Sequence, residues 1–412
     1  MRLVADRLGH RGDAVAYVSG TEGPSGPVFI PRILPGEEVE GEVTGDRMAA
    51  PSILTPSPER VKAPCPHYRT CGGCSLQHAS DTFVAGWKRG VVVTALAGQG
   101  LEARVGEVQT SPARTRRRAT LHGRRTKGGA LLGFHARASD TLVAVPHCLL
   151  LTPTLMAAFP ALEALVKAGG SRSGELSLTV TDSLGGPDVA VTGGKPLDPI
   201  LHGDLAALAE AHGLARLTWE QEVIALRNPP AQAFGPARVS PPPGAFLQAT
   251  AAGEGALLDF VRASVAGARR VADLFAGSGT FALPLARDAE VHAVEGDPAM
   301  IAALDRGWRG AQGLKRITTE ARDLFRRPLD ADELRGFEAV VIDPPRAGAE
   351  SQIAALARST VPVIAMVSCN PVTFARDART LIAAGFALDA VEVVDQFRWS
   401  THVELASRFT RT

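Results

Sequence analysis

Five cysteines are all the thiols of this 412-residue chain, and their spacing divides them by job. Cys65, Cys71 and Cys74 form a C-x5-C-x2-C cluster bracketed by Pro64, Pro66, Gly72 and Gly73, which lets a loop fold tightly around one metal centre. Cys148, in Pro146-His147-Cys148, is available as a fourth ligand. Cys369 stands alone in Ser368-Cys369-Asn370-Pro371, after the apolar run 361–367, so it belongs at the end of a buried strand. The split points to four metal ligands and one nucleophile. Four thiolates suit a structural Zn²⁺ as well as an iron–sulfur cluster, and spacing does not choose between them.

A second set of residues has the chemistry of a nucleoside site. Asp273-Leu274-Phe275-Ala276-Gly277-Ser278-Gly279-Thr280-Phe281 lies at a turn between strand and helix, where glycines admit a ligand close to the backbone. Glu295 ends the next strand, in Val294-Glu295-Gly296-Asp297, where a carboxylate can accept both hydroxyls of a ribose. Together they imply an adenosine-type ligand. The third glycine of the dinucleotide fingerprint is replaced by Ala282, and the lysine of a P-loop is missing. Asp343-Pro344-Pro345-Arg346 closes a later strand, and Asp395-Gln396-Phe397-Arg398-Trp399-Ser400-Thr401-His402-Val403-Glu404 lies near the end.

These residues need a scaffold, and the pattern of apolar runs supplies one. Strands are expected at 270–276, 290–295, 317–321, 339–342 and 363–368, separated by helical segments, which makes a parallel doubly wound α/β sheet. Runs at 391–394 and 403–409 with a short loop between them form a terminal β-hairpin, so one of its strands must run antiparallel within the sheet. Ligands of such sheets sit at the carboxyl ends of the parallel strands, where Glu295, Asp343 and Cys369 all fall. If the last strand lies antiparallel beside the Cys369 strand, Glu404 shares that edge.

Upstream the grammar differs. Short alternating runs around glycine turns, including Val15-Ala16-Tyr17-Val18, Val28-Phe29-Ile30 and Pro35-Gly36-Glu37, read as a small β-barrel. Proline clusters at 51–58 and 229–243 punctuate the chain. The expected units are therefore 1–57, a small barrel; 58–240, a central α+β domain with the four-cysteine site, helical near 83–97 and strand-like near 131–145; and 241–412, the doubly wound domain.

Length alone calls for two or three domains. With 44 basic and 43 acidic residues the net charge of +1 is uninformative, but its distribution is not. Arg114, Arg116, Arg117, Arg118, Arg124, Arg125 and Lys127 crowd 111–127 without a carboxylate, a density suited to phosphates or to a solvated loop. No signal segment or membrane span is expected. Sparse thiols favour a cytoplasmic enzyme over a disulfide scaffold.

Taken together, Asp273 to Phe281, Glu295, Asp343-Pro344-Pro345-Arg346, Ser368-Cys369-Asn370-Pro371 and the 395–404 segment, with four cysteines upstream, resemble the bacterial RNA 5-methyluridine methyltransferases. The likeness covers essentially the whole chain. Pro35-Gly36-Glu37 is similar to the family's N-terminal TRAM barrel and Phe246-Leu247-Gln248 to its F-x-Q segment. The resemblance implies a class I S-adenosylmethionine methyltransferase fold in which Gln248, Phe275, Thr280, Glu295, Asp323 and Asp343 contact S-adenosylmethionine. Cys369 would be the nucleophile and Glu404 the base. It also implies that Cys65, Cys71, Cys74 and Cys148 hold a [4Fe–4S] cluster, Zn²⁺ being the other occupant, and that the RNA is 23S rRNA, because the transfer-RNA branch generally lacks this cysteine set. Neither a membrane nor an obligate protein partner is implied. Arg398 and Ser400 depart from the proline and threonine of the family's D-x-F-P-x-T-x-H-x-E.

The residue types have their own logic. Carbon 5 of uracil is a poor nucleophile until a thiolate adds to carbon 6, and a base must later remove the carbon-5 proton. His402 and Arg346 are candidate donors to the uracil oxygens. Other readings are a transfer-RNA substrate, a cytosine-C5 or exocyclic-amine methyltransferase, and a non-catalytic RNA-binding assembly factor. The cytosine enzymes carry a second thiol that Asp343-Pro344-Pro345-Arg346 lacks. The amine enzymes need neither Cys369 nor Glu404, and a non-catalytic factor would show a degraded cofactor loop.

Overall fold

The computed structural model describes residues 1–17 and 26–411; Val18 of the second expected strand lies outside them. Strands with near-continuous apolar sequence, such as Ala339–Ile342 and Val363–Ser368, are buried on both faces and form the middle of an eight-stranded sheet. Its spatial order is Ile317–Ala321, Glu290–Glu295, Arg270–Leu274, Ala339–Ile342, Val363–Ser368, Glu404–Arg411, Phe386–Asp395 and Val105–Thr110. The first five run parallel, and Glu404–Arg411 runs antiparallel to both neighbours. The strand order reverses between Arg270–Leu274 and Ala339–Ile342, which opens a crevice at their carboxyl ends.

Two elements, a helix and a strand, differ from the sequence-based division of the chain. Val105–Thr110 is the eighth strand of this sheet, parallel to Phe386–Asp395, and the helix Asp81–Ala97 packs beside it. Val92, Leu96 and Val105 share one core with Phe374, Leu381 and Val391. The segment 81–110 therefore belongs with the C-terminal body rather than with the middle unit of 58–240. The strand carries only one fully buried side chain, Val105, so its sequence shows little of the apolar run that marks an inner strand.

The middle of the chain forms a seven-stranded sheet ordered Glu222–Leu226, Arg216–Trp219, Gly186–Thr192, Leu176–Ser183, Arg118–Thr126, Gly129–His135 and Leu142–Ala144. The helices Phe159–Gly169 and Pro199–Ala211 bury Leu162, Leu165, Val166 and Leu205 against Leu176, Leu178 and Leu217. Within the second proline cluster a short hairpin, Gln232–Phe234 with Ala237–Val239, turns at Gly235. At the N-terminus five antiparallel strands, ordered Pro27–Ile30, Ala14–Tyr17, Arg2–Leu8, Glu38–Glu40 and Ser52–Thr55, cover Leu3, Val28, Ile30, Leu34 and Val39. No helix among the described residues is long and apolar enough to cross a membrane.

A buried ion pair joins the Asp81–Ala97 helix to the terminal hairpin. Lys88 sits on the same helical stripe as Val84, Val92 and Leu96 and is fully buried. Its Nζ lies 2.6 Å from Asp395 Oδ1 and donates to the Phe397 carbonyl at 3.2 Å. Burial lowers the Lys88 pKa while Asp395 opposes the shift. Removing one partner leaves a buried charge unpaired, which costs about 3–5 kcal/mol. Lys88→Ala is therefore expected to lower the denaturation midpoint far more than Lys62→Ala, an exposed site; equal midpoints in urea unfolding would contradict this reading of the pair.

Candidate active site

The site grows out of strand register. Ser368 pairs with Leu405 across the antiparallel ladder, so continuing it by one step sets Cys369 opposite Glu404. Asp343 follows Ile342, whose parallel partner is Met366, at the same edge of the sheet. Three acidic groups thus crowd one mouth. Burial pushes the Cys369 thiol up to about 11, the Glu404 and Asp343 carboxylates add to the shift, and Arg346 opposes it. Burial, then Asp343, holds Glu404 well above the ordinary carboxylate range. Asp343 is pushed up to about 7 by burial, with a hydrogen bond from Gln248 opposing.

That hydrogen bond is part of a chain. Gln248 Nε2 donates to Asp343 Oδ2 at 3.1 Å, and Gln248 Oε1 accepts from Gln396 Nε2 at 2.5 Å. Gln396 Oε1 in turn accepts from the Thr250 N–H at 3.4 Å. A side chain at Gly253 would meet Gln396 at 2.9 Å, so glycine leaves it room. Gln248 was legible in the F-x-Q segment. Gln396 was not, although its place beside Asp395 in the 395–404 motif was the available signal.

The glycine turn bends sharply: Phe275, Gly277 and Gly279 all have positive φ, at 61°, 57° and 100°. At Gly279 a side chain would also strike Leu283 and Leu304. The Gly277 N–H donates to Glu295 Oε2 at 3.0 Å and the Asp297 N–H to Oε1 at 3.0 Å, fixing the carboxylate at the strand end with acceptor capacity to spare. Asp323 Oδ1 accepts from the Phe325 N–H at 2.9 Å, and the Phe275 and Phe325 rings stand 5.5 Å apart. Thr280 is half-buried at the turn. Asp273 is fully buried and neither of its carboxylate oxygens has a hydrogen-bond partner. Burial first, then Asp343, raises its pKa well above the usual range; the Ala282 N–H opposes this from outside hydrogen-bond geometry. An orphaned buried acid beside a backbone cradle fits a site built to receive a polar ligand.

The 395–404 loop is pinned from several sides. Asp395 Oδ1 accepts from the Phe397 N–H at 2.9 Å, while the Trp399 carbonyl, on a residue with φ of 61°, accepts from the Ser75 and Leu76 N–H groups at 2.8 and 3.0 Å. The loop following Cys74 therefore clamps the segment leading to Glu404. Arg398 pairs with Asp81 at 2.5 Å and lies over the Trp399 ring, so an ion pair to the first turn of Asp81–Ala97 restrains a position where the resembled family has proline. Arg346 Nη1 lies 3.2 Å from His402 Nδ1. Arginine only donates, so Nδ1 is the acceptor and Nε2 carries the proton of the neutral ring. Burial, then Arg346, lowers the His402 pKa and favours that neutral form.

Cys65, Cys71, Cys74 and Cys148 line a single pocket walled by Phe134, Val145, Leu149 and Leu150, and all are free thiols. Burial raises the pKa of Cys71, Cys74 (up to about 12) and Cys148, and the neighbouring thiols raise them further. The Gly73 N–H donates to Cys71 Sγ at 3.4 Å. A side chain at Gly72 would meet the His135 carbonyl at 2.7 Å, so glycine lets the loop lie against its strand. Four thiols lining one apolar pocket, one of them accepting an N–H···S bond, fit a thiolate-held metal centre.

The basic segment divides in a way its composition concealed. Arg117 donates to the Gln248 carbonyl at 3.0 Å and pairs with Glu254, while Arg118 donates to the Ala245 and Gly244 carbonyls, both at 2.9 Å. Arg116 lies over the Phe397 ring. These three are structural braces of the 244–248 and 395–404 segments. The exposed members are Arg114, Arg124 and Lys127.

Residues 310–411 match the family described as tRNA (Uracil-5-)-methyltransferase. The chain is 45% identical to an uncharacterized RNA methyltransferase of Rhizobium meliloti, over 98% of this chain and 97% of that one. It is 33% identical to the 23S rRNA (uracil(1939)-C(5))-methyltransferase RlmD of Halomonas elongata, over 98% and 88% of the two chains. Its fold is similar to that of the Pyrococcus abyssi tRNA (uracil-54, C5)-methyltransferase, solved with S-adenosyl-L-homocysteine: the TM-score is 0.76 at 22% identity, covering 100% and 99% of the chains.

Asp343 yields a stability prediction whose sign follows from its raised pKa. The proton it retains on folding contributes stability that is complete below its ordinary pKa and is lost as pH rises through about 7. Asp343→Asn is therefore expected to raise the melting temperature relative to wild type more at mildly alkaline than at mildly acidic pH. An equal effect at both would contradict the shift.

Proposed function

The chain belongs to the RNA uracil-5-methyltransferase family, and from that premise we propose that it transfers a methyl group from S-adenosylmethionine to carbon 5 of a uridine in 23S rRNA. The observation that carries the covalent chemistry is the cross-strand placement of Cys369 against Glu404 beside Asp343. The rRNA preference rests on the relative named for that activity and on the four-cysteine pocket.

When bound, S-adenosylmethionine supplies an electrophilic methyl group on a cationic sulfonium. Gln248, Phe275, Thr280, Glu295, Asp323 and Asp343 are the residues proposed to hold it. Glu295 takes the ribose hydroxyls through its remaining lone pairs. The Asp343–Gln248–Gln396 chain keeps a carboxylate oriented at the crevice. In the free protein Cys369 is a thiol, since burial first and then the nearby acids disfavour its charge. Positive charge entering this mouth lowers the pKa of every acid around it.

Cys369 Sγ, having given its proton to solvent water at the mouth of the crevice, forms a bond to uracil carbon 6, and the electron pair of the 5,6 double bond moves toward the carbonyl oxygen at carbon 4. The Nε2–H of neutral His402 is the proposed donor to a uracil oxygen. The enolate pair then returns through carbon 5 to take the methyl group, whose bond to the sulfonium sulfur breaks and leaves a neutral thioether. Glu404, as carboxylate, removes the carbon-5 proton, the carbon-6 to sulfur bond breaks, and the double bond and the Cys369 thiolate return. Glu404 suits this step because burial raises its basicity.

Cys65, Cys71, Cys74 and Cys148 are proposed to hold a [4Fe–4S] cluster whose part is structural: it fixes the loop whose Ser75 and Leu76 grip Trp399. The five-stranded N-terminal sheet is proposed to be a TRAM-like RNA-binding module. A target base must leave its stack to reach Cys369, so loops are better substrates than duplexes.

The expected result is 5-methyluridine lost from ribosomal RNA, and kept in transfer RNA, of cells lacking the gene, measured by nucleoside mass spectrometry on separately purified RNAs. Complementation with Cys369→Ala should leave it absent, the rate being down by several orders of magnitude. Loss from transfer RNA would move the substrate, and methylation retained with Cys369→Ala would overturn the covalent route.

A further inference from the structure

A second group of potential metal ligands lies on the seven-stranded sheet, outside both the crevice and the four-cysteine pocket. His122 Nδ1 is 3.0 Å and His135 Nε2 2.8 Å from the same oxygen, Glu175 Oε1. The other oxygen, Oε2, is held by Arg124 Nη2 at 3.0 Å. The three donor atoms lie within 4.8 Å of one another, and the imidazole centroids are 4.2 Å apart. Among the described residues no other group of three or more His, Cys, Asp or Glu meets this spacing with one ligand atom each.

Sheet register explains the convergence. On the central strand Arg118–Thr126, His122 pairs with Ser177 on one side and with Gly133 on the other. Glu175 stands two residues before Ser177 and His135 two after Gly133, so all three side chains share one face as diagonal neighbours. Gly133 is obligatory here: a side chain would meet the Val143 carbonyl at 1.8 Å, so glycine lets the strand carrying His135 pair closely with its outer neighbour. Arg124 lies one pleat along the same face and fixes the carboxylate from behind.

We propose that His122 Nδ1, His135 Nε2 and Glu175 Oε1 form a binding site for a divalent transition metal of the Zn²⁺ class. Two imidazoles and one carboxylate are a usual three-ligand set for this ion, with water in the fourth position. Bonds of about 2.0–2.2 Å in a tetrahedron separate the donors by about 3.3 Å, so the oxygen and nitrogens need open by only a few tenths of an ångström. Arg124 provides the outer hydrogen bond that orients a ligating carboxylate. All three side chains are partly exposed, at 30%, 32% and 21%, so an ion can enter without unfolding. The ion would tie three strands together directly beneath the cysteine loop, whose Gly72 N–H donates to the His135 carbonyl at 2.9 Å and whose Cys71 bridges Ala136. Its role is a brace for that loop.

Co²⁺ serves as the probe, titrated into the full-length protein with its cysteine site already loaded. The expected result is saturable binding of one equivalent with a ligand-field spectrum free of thiolate-to-cobalt charge transfer, and competition by Zn²⁺. His122→Gln and, separately, Glu175→Gln should each weaken it at least about 10-fold, the low end of what loss of an outer-shell partner costs. Glu175→Gln keeps the side-chain shape, and an unchanged metal-free melting curve certifies its fold. No such spectrum in the wild type, or one that both variants retain, would show two histidines hydrogen-bonded to a glutamate and nothing more.

Discussion

The Lys88–Asp395 ion pair is the contact on which the active-site edge depends. A fully buried ammonium is tolerable only with a close partner, and the partner it has sits at the last residue of Phe386–Asp395. Asp395 also caps the Phe397 N–H, and its backbone carbonyl accepts from Ser111. One residue therefore fixes where the helix Asp81–Ala97 lies and where the terminal hairpin turns, through its carboxylate, and where the basic segment begins, through its carbonyl. Glu404 follows nine residues after Asp395 and inherits its position from that anchor. Specificity of placement, more than net stability, is what a buried pair of this kind provides here.

A second constraint is charge crowding. Asp273, Asp343, Glu404 and the Cys369 thiol are gathered where strands end, with Arg346 the cation that opposes the shift of Cys369. None of these groups ionises easily in the presence of the others. The arrangement is costly for the empty protein and becomes favourable when positive charge arrives, which couples occupancy of the crevice to the ionisation the chemistry needs. The braces around it, Arg117 at Gln248, Arg398 at Asp81 and the Ser75 and Leu76 N–H groups at Trp399, come from three separate stretches of chain. The four-cysteine pocket, the middle sheet and the C-terminal body thus meet at one loop.

Much of this was legible in the residues, for identifiable reasons. Inner parallel strands are buried on both faces and read as apolar runs, so Ala339–Ile342 and Val363–Ser368 stand out at their observed bounds; the edge strand Ile317–Ala321, with only Ile317 buried, was legible from the strand–helix alternation instead. The short loop before 403–409 implied the hairpin, and with it the shared edge of Cys369 and Glu404. What stayed hidden depends on pairing over long sequence distance. Val105–Thr110 is a polar edge strand whose partner lies almost three hundred residues away. Arg117 and Arg118 look like a solvated charge run until their carbonyl and carboxylate partners at 244–254 are in place, and Arg116 until the Phe397 ring lies beneath it. Lys88 did leave a trace, as one lysine on the Val84, Val92, Leu96 stripe of a helix. His122, His135 and Glu175 leave none, since only sheet register brings them together.

The central claim is that Cys369 and Glu404 act in sequence on one base, the thiol forming the adduct and the carboxylate releasing it. The most direct measurement is mass spectrometry of Glu404→Gln after incubation with substrate RNA and S-adenosylmethionine, denatured and digested. The account predicts a peptide containing Cys369 covalently joined to a methylated uridine, accumulating because the carbon-5 proton stays in place. A Glu404→Gln enzyme that turns over normally, or one that stalls with no nucleotide on Cys369, would contradict it.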